Sequence, residues 1–454
     1  MELSTKEYLE LDLGHVWHPF TQHKDWSSRL APLVIDRAEG VYLYDSGGNR
    51  YLDGVSSLWC NVHGHSVPEL VETIQVQSQK LCHSTILGLS HTPLLELTKR
   101  LIPVLPSNLN RLFYADSGTT AVEAALRIAI EWWQKKDNAK ARKKTKFASL
   151  EGAYHGDTLG AVGLGFLESF HKDLSSVVVP AMRVPPPFMF RLERGCSEDE
   201  STELSLNYLR ELFEKSSDEI AAFVIEPRVQ GATGIWVQQE KYLKGVESLC
   251  REFEVLLIAD EVATGFGKTG ELFAVDHGLV KPDLMILGKG LSAGYLPISA
   301  VAATEELFEG FIGEPEEGKT FYYGQTFAGN PLAAAVASKN LDLISENRVI
   351  EKLKDRLPFY QGLLDEHIKP LEKVYEVRSC GLMVGVELTQ TPEKLEPFSP
   401  NQRAGIRIVE KAREMGLIIR PLGNVMVLMP PLVMEEAELE FLVKTTAEAI
   451  TAAI

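Results

Sequence analysis

Residues 255–270 read VLLIADEVATGFGKTG, and residues 283–290 read DLMILGKG. Each is a short apolar run that stops at chemistry: the first ends at Asp260-Glu261, the second at Gly288-Lys289-Gly290. Continuous apolar runs of this length suit strands covered on both faces, as in a parallel sheet between two layers of helices. Working outward, RLFYADS, KFASLEGAYHG and AAFVIEP repeat the form. Between the first two, TAVEAALRIAIEWW places Val122, Ala125, Ile128 and Ala129 at helical spacing. This alternation predicts an α/β architecture, a large domain over residues 70–335 with a mostly parallel sheet flanked by helices. Ahead of it, VYLYDSGGNRYLDG at 41–54 predicts an antiparallel ribbon around a Gly-Gly turn. Behind it, VIEKLKDRLPFYQGLLDEHI, GLMVGVEL and VMVLMPP predict a helix and strands, so residues 1–69 and 336–454 are expected to form one smaller α+β domain from both chain ends. The basic stretch KKDNAKARKKTK at 135–146, GEPEEGK at 313–319 and the prolines at 185–187 read as loops, the basic one solvated.

In open parallel sheets ligands collect at the carboxyl ends of strands, so the residues ending each run carry the functional reading. Ser117-Gly118-Thr119 precedes Thr120-x-x-Glu123, a capping-box pattern. Free N–H groups and the positive dipole end at such a turn suit a phosphate, or belong to an ordinary capped helix. Asp260 and Glu261 are costly to bury unless a cation meets them: a pyridinium nitrogen, a divalent metal or nearby arginines. Lys289 between two glycines is either an amine with room on both sides, as a Schiff-base lysine needs, or a loop lysine. The segment 265–270 matches G-x-G-x-x-G, but ADEVAT separates it from its strand. Val262 stands where a phosphate-binding P-loop needs glycine, so neither nucleotide motif is expected and the segment reads as a shaped active-site loop. His63 and His65 lack a third ligand at useful spacing, and no metal site is expected.

Composition narrows the partners. With 46 basic and 63 acidic residues among 454, the formal charge is −17, the wrong sign for nucleic acid or an anionic membrane. A hydrophobic content of 45% supports a large buried core. No apolar run reaches the roughly 18 residues of a membrane span, and the N-terminal stretch lacks the basic and apolar regions of a secretion signal. Cys60, Cys82, Cys196, Cys250 and Cys380 are scattered without a C-x-x-C pair, and a cytoplasmic location is expected.

A helix start fit for phosphate, a strand-end aspartate and a strand-end lysine 29 residues beyond it form the constellation that pyridoxal 5′-phosphate requires. The chain resembles the fold-type I, class III aminotransferases. It carries Asp260-Glu261-Val262-x-Thr264-Gly265-Phe266-Gly267-x-Thr269-Gly270 and Gly288-Lys289-Gly290, that family's signature. The resemblance implies that Lys289 holds the cofactor and moves the substrate proton, that Asp260 pairs with the pyridinium nitrogen, and that Ser117, Gly118 and Thr119 hold the phosphate. It also implies that Tyr154 stacks on the ring with a catalytic part, that His155 orients cofactor or substrate, and that Val262 packs on the other ring face. Gln325 and Thr326, in GQTFAGNP, are then cofactor contacts, Thr326 reaching the phosphate from a second subunit, which implies a homodimer with shared active sites.

Within the family, His15-x-Trp17-His18-Pro19-Phe20-Thr21, SSLWCNVHGH at 56–65, YHGDTLGAVG at 154–163 and Ile419-Arg420-Pro421-Leu422-Gly423 are similar to the branch that aminates 8-amino-7-oxononanoate in biotin biosynthesis. That likeness implies Arg420 as the clamp on the acceptor's carboxylate, and Phe20, Leu58, Trp59, Tyr154, Lys289 and Gly324 as substrate contacts. The chain departs from well-known members at Phe20, Leu58, Lys268 and Gln325, where they carry tyrosine, tryptophan, arginine and proline. The amino donor is therefore S-adenosylmethionine or lysine. The alternatives are another class III ω-aminotransferase, an aminomutase, or a pyridoxal-phosphate-binding regulator.

Overall fold

The computed structural model describes residues 3–28 and 32–454. Residues 1–2 and 29–31, which fall in the expected N-terminal segment 1–69, lie outside the described residues. A seven-stranded sheet runs, edge to edge, through Leu109–Ala115, Ser299–Thr304, Leu284–Leu287, Leu256–Asp260, Ile220–Ile225, Lys146–Leu150 and Met182–Val184. All neighbouring pairs are parallel except those made by Ser299–Thr304, which is antiparallel to both of its neighbours. Successive side chains leave a strand on opposite faces, and both faces here are covered. Phe223, Leu257 and Met285 join one buried cluster with the helices Glu198–Ser216 and Glu240–Glu252. Val224, Ile258 and Ile286 join a second with the helix Gly118–Lys135.

The two chain ends meet. Tyr42–Asp45 and Arg50–Asp53 form the expected antiparallel ribbon, Ile35–Glu39 adds an unexpected third antiparallel strand beside Tyr42–Asp45, and Leu417–Ile418 pairs in parallel with Arg50–Asp53. Gly54 makes the junction tight: its N–H reaches the Ile418 carbonyl at 2.9 Å, and a Cβ on it would lie 2.8 Å from Leu442. A separate sheet of Val374–Cys380, Met383–Leu388, Val425–Leu428 and Arg420–Leu422 completes the C-terminal part. Among the described residues no helix is long and apolar enough to cross a membrane.

Three local expectations change. The helix after the first strand opens at Gly118, with Ser117 as its N-cap and Thr120 returning the bond to Ser117 N at 3.0 Å. Glu123 takes no part in the cap, because its carboxylate accepts from Gly160 N at 3.0 Å. The prolines at 185–187 do not simply loop: Pro187 opens the helix Pro187–Arg194, where its missing N–H costs nothing. The basic stretch is not solvated throughout. Lys144 is buried, and its Nζ donates to the carbonyls of Ser217, Ile220 and Glu254, while burial lowers its pKa to about 8 against the charges of Glu254 and Asp218.

Candidate active site

Asp260 is the last residue of the strand Leu256–Asp260, and it turns to the opposite face from Glu261. Its Oδ2 accepts from His155 Nδ1–H at 2.7 Å, and its Oδ1 accepts from Val262 N at 3.1 Å. Glu261 is satisfied by Val275 N at 2.8 Å and the Thr264 hydroxyl at 2.5 Å, while burial raises its pKa to about 7. Among the described residues neither acid pairs with an arginine.

Lys289 follows the strand Leu284–Leu287 after one residue and takes a left-handed backbone, φ 40°. An L-residue held there is strained, and such strain belongs to sites that must aim one side chain. Gly290 serves close packing rather than open room, since a Cβ on it would lie 2.9 Å from Phe266, whereas one on Gly288 would meet Val262 at an ordinary 3.4 Å. Val262 is a wedge shared by two elements, since a Cβ on Gly118 would approach it to 2.8 Å. The start of the helix Gly118–Lys135 is thereby drawn against the strand ends that carry Asp260 and Lys289. The Lys289 amine sits 4.7 Å from the Trp59 ring centroid. Burial lowers its pKa, against the opposing charges of Asp260, Glu226 and Cys60.

Tyr154 lies beside this group, its hydroxyl donating to Asp157 Oδ2 at 2.7 Å and its ring stacked on His171 at 6.4 Å between centroids. Burial first, and then that bond to Asp157, raises the phenol's pKa. Glu226, one residue beyond the strand Ile220–Ile225, holds this loop: it accepts from Tyr154 N at 3.1 Å and Gly231 N at 2.9 Å, and burial lifts its pKa to about 7. Glu226 and Asp157 were missed in the sequence, although Glu226 ends the run AAFVIEP and the strand-end rule applied to that run finds it.

The residues present fit pyridoxal 5′-phosphate. His155 Nε2 is buried with no partner, and the first-turn N–H groups of Gly118 and Thr119 have no partner within the helix. An amine, a carboxylate steadied by an imidazole, and open N–H donors at a helix start match in turn the carbonyl, ring nitrogen and phosphate of that molecule.

Arg420 stands near Tyr154. Its guanidinium is 6.0 Å from the Phe20 ring centroid. Burial lowers its pKa, and the nearby Tyr154 phenol opposes the shift. Phe20 packs on Phe170 at 5.5 Å between centroids. Phe20 and Leu58 are exposed at 56% and 51%, while Trp59 is buried with its indole Nε1 unpartnered. The structure does not bring Gly324 and Thr326 into this cluster. Both are exposed in a turn that Phe327 anchors against His83 at 4.9 Å between rings, and the neighbouring Gln325 keeps a buried Oε1 without a partner.

Lys268, within the glycine-rich segment, is buried at 1% exposure. His63 and His65 diverge to different partners, Asn340 at 2.9 Å and Asp53 at 3.0 Å.

Comparison with known proteins follows the same lines. The family model described as Aminotransferase class-III matches residues 24–450. The adenosylmethionine-8-amino-7-oxononanoate aminotransferase of Nitratidesulfovibrio vulgaris is 44% identical, covering 99% of this chain and 82% of that protein. Its counterpart from Geobacter sulfurreducens is 42% identical, covering 99% and 98%. Among solved structures, the enzyme of that name from Methanocaldococcus jannaschii superposes with a TM-score of 0.92 at 38% identity, covering 99% of both chains. An (S)-enantioselective ω-transaminase from Thermomicrobium roseum superposes with a TM-score of 0.94 at 30% identity over 100% of both.

Proposed function

The chain belongs to the class III aminotransferases, and from that membership we propose that it aminates 8-amino-7-oxononanoate to 7,8-diaminononanoate, a step of biotin biosynthesis, with S-adenosylmethionine or lysine as donor. The observation that carries the acceptor is Arg420, a half-buried guanidinium beside Phe20 and Tyr154 that pairs with no carboxylate among the described residues. A planar fork placed this way suits the carboxylate at the end of the acceptor's alkyl chain.

In this reading Ser117, Gly118 and Thr119 bind the phosphate at the helix start. Asp260, steadied by His155, holds the proton on the ring nitrogen. Val262 and Tyr154 confine the ring from its two faces, and Gln325 and Thr326 act in a second subunit's site, so the working form is a homodimer. Bound pyridoxal 5′-phosphate supplies a conjugated ring that takes up the electron pair left when a proton leaves the substrate carbon. Lys289 carries that proton at the reacting carbon, which a lowered pKa favours because an amine must be free of its own proton to accept one. Trp59, Leu58 and Phe20 limit water around the reacting atoms, Gly324 serves with Gln325 and Thr326 in the second subunit's site, and Arg420 fixes the acceptor's orientation. The smaller domain built from residues 1–69 and 336–454 supplies Phe20, Leu58, Trp59 and Arg420, the domain of 70–335 supplies the rest, and the setting is the cytoplasm.

The decisive experiment offers S-adenosylmethionine and lysine in parallel as donors to 8-amino-7-oxononanoate and follows the diamine. Nitrogen transfer to 2-oxoglutarate or pyruvate, with none to 8-amino-7-oxononanoate, overturns the acceptor assignment.

A further inference from the structure

Lys268 is a buried cation for which the proposed chemistry has no use. Its Nζ donates to Ser56 Oγ at 2.7 Å, to the Asn61 carbonyl at 3.1 Å and to the Pro430 carbonyl at 3.0 Å. The Ser56 hydroxyl proton is itself engaged with the Met429 carbonyl at 2.7 Å, so Ser56 Oγ receives from the lysine. Three acceptors use all three hydrogens of an ammonium, and none of the three is anionic. They come from two separate places: Ser56 and Asn61 bracket the turn that carries Trp59, and Pro430 lies in the C-terminal part of the chain.

That turn is strained. Ser56, Ser57 and Trp59 all have left-handed backbones, with φ of 50°, 59° and 64°. Non-glycine residues adopt that region only where their surroundings impose it. Asp53 imposes it from one side, accepting from Ser57 N at 2.7 Å and Ser57 Oγ at 3.1 Å. Lys268 imposes it from the other, and the Trp59 ring so held faces the Lys289 amine at 4.7 Å.

We propose that Lys268 is a positioning residue for Lys289: its buried ammonium ties Ser56, Asn61 and Pro430 together and thereby holds the Trp59 ring against the reactive amine. The inference rests on the reading of Lys289 as that amine. Burial lowers the Lys268 pKa to about 7; Cys60 and Asp53 oppose the shift, and the charge of Lys289 adds to it. Deprotonated, Nζ keeps two hydrogens for three acceptors, so the tie is complete only with its proton on.

Lys144 is an internal control, a buried lysine that also donates to three carbonyls but lies in the 135–146 stretch. In the full-length chain freed of cofactor, near pH ~6 where Lys268 keeps its proton, acetic anhydride labelling of each lysine is followed by peptide mass mapping. Lys268→Met is expected to raise Lys289 labelling about fivefold or more while Lys144 stays unchanged. In the loaded enzyme it is expected to lower kcat about tenfold with the acceptor KM within about twofold. Ser56→Ala, which removes one of three acceptors, gives the same pattern at smaller amplitude and decides the matter if Lys268→Met does not fold. An unchanged ratio of Lys289 to Lys144 labelling, or a parallel rise of both, overturns the tie. Labelling needs neither cofactor nor substrate, so a wild-type chain that fails to bind cofactor counts against the function and leaves this measurement standing.

Discussion

At one end of the site, Asp260 ends a strand, Lys289 stands one residue past another and Ser117 caps a helix start, while His155, from the loop after Lys146–Leu150, and Val262 N donate to Asp260 at 2.7 and 3.1 Å. At the other end, Phe20, Leu58 and Arg420 come from an N-terminal loop, a distorted turn and a short strand, and two of the three side chains are more than half exposed. The first end is built to hold one fixed shape. The second is lined with groups free to accept different ones, which is what a pocket serving an amino donor and a dissimilar acceptor requires.

Four substitutions probe that contrast. Lys289→Ala strikes the fixed end and is expected to abolish the visible absorption of the bound cofactor and to cost at least ~10³-fold in transamination; a variant that keeps both shows the amine lies elsewhere. Glu226→Gln tests the strand-end support through pH. A carboxyl whose folded pKa is raised from 4.5 to about 7 binds more protons folded than unfolded in that window, so its contribution falls as pH rises. The stability gap between wild type and variant should therefore move in the variant's favour by on the order of 2–3 kcal/mol from pH ~4.5 to ~7, then flatten. Urea unfolding at a series of pH values measures it, and a flat gap means folding does not raise the Glu226 pKa. Arg420→Ala strikes the open end and should weaken acceptor binding by about 1.5–3 kcal/mol, read as a raised acceptor KM; an unchanged KM removes the clamp. Phe20→Tyr, which adds a hydroxyl donor to a half-exposed ring, should lower one substrate's KM by no more than about fivefold, or under ~1 kcal/mol. A larger change would show that the open end is as tightly specified as the fixed one.

The same contrast explains what could be read from residues alone. Asp260, Ser117 and Lys289 were legible because a strand end is a place with a rule: apolar runs stop there and ligands gather there. The meeting of Phe20 with Arg420 depends on two segments about 400 residues apart in sequence, and no local period records that encounter. Glu123 was misread as a cap because Ser/Thr-x-x-Glu is a local pattern, whereas its partner Gly160 is brought to it by the tertiary fold. Lys144 was misread as solvated for the opposite reason: a charge run describes an average, and one member of it found three carbonyls inside. The glycines around Lys289 were read as giving the amine room, whereas Gly290 is held in close contact with Phe266.

The parallel pairing of Leu417–Ile418 with Arg50–Asp53 bears on how the molecule is made. A ribosome releases the first three strands early, yet their fourth neighbour emerges only after more than 360 further residues have been added. The N-terminal ribbon therefore spends most of synthesis with an unpaired edge, while the seven-stranded sheet, whose strands lie between residues 109 and 304, has all its parts available sooner. Such long-range closure slows folding, and it makes the last 40 or so residues the step that seals both the ribbon and the wall carrying Arg420.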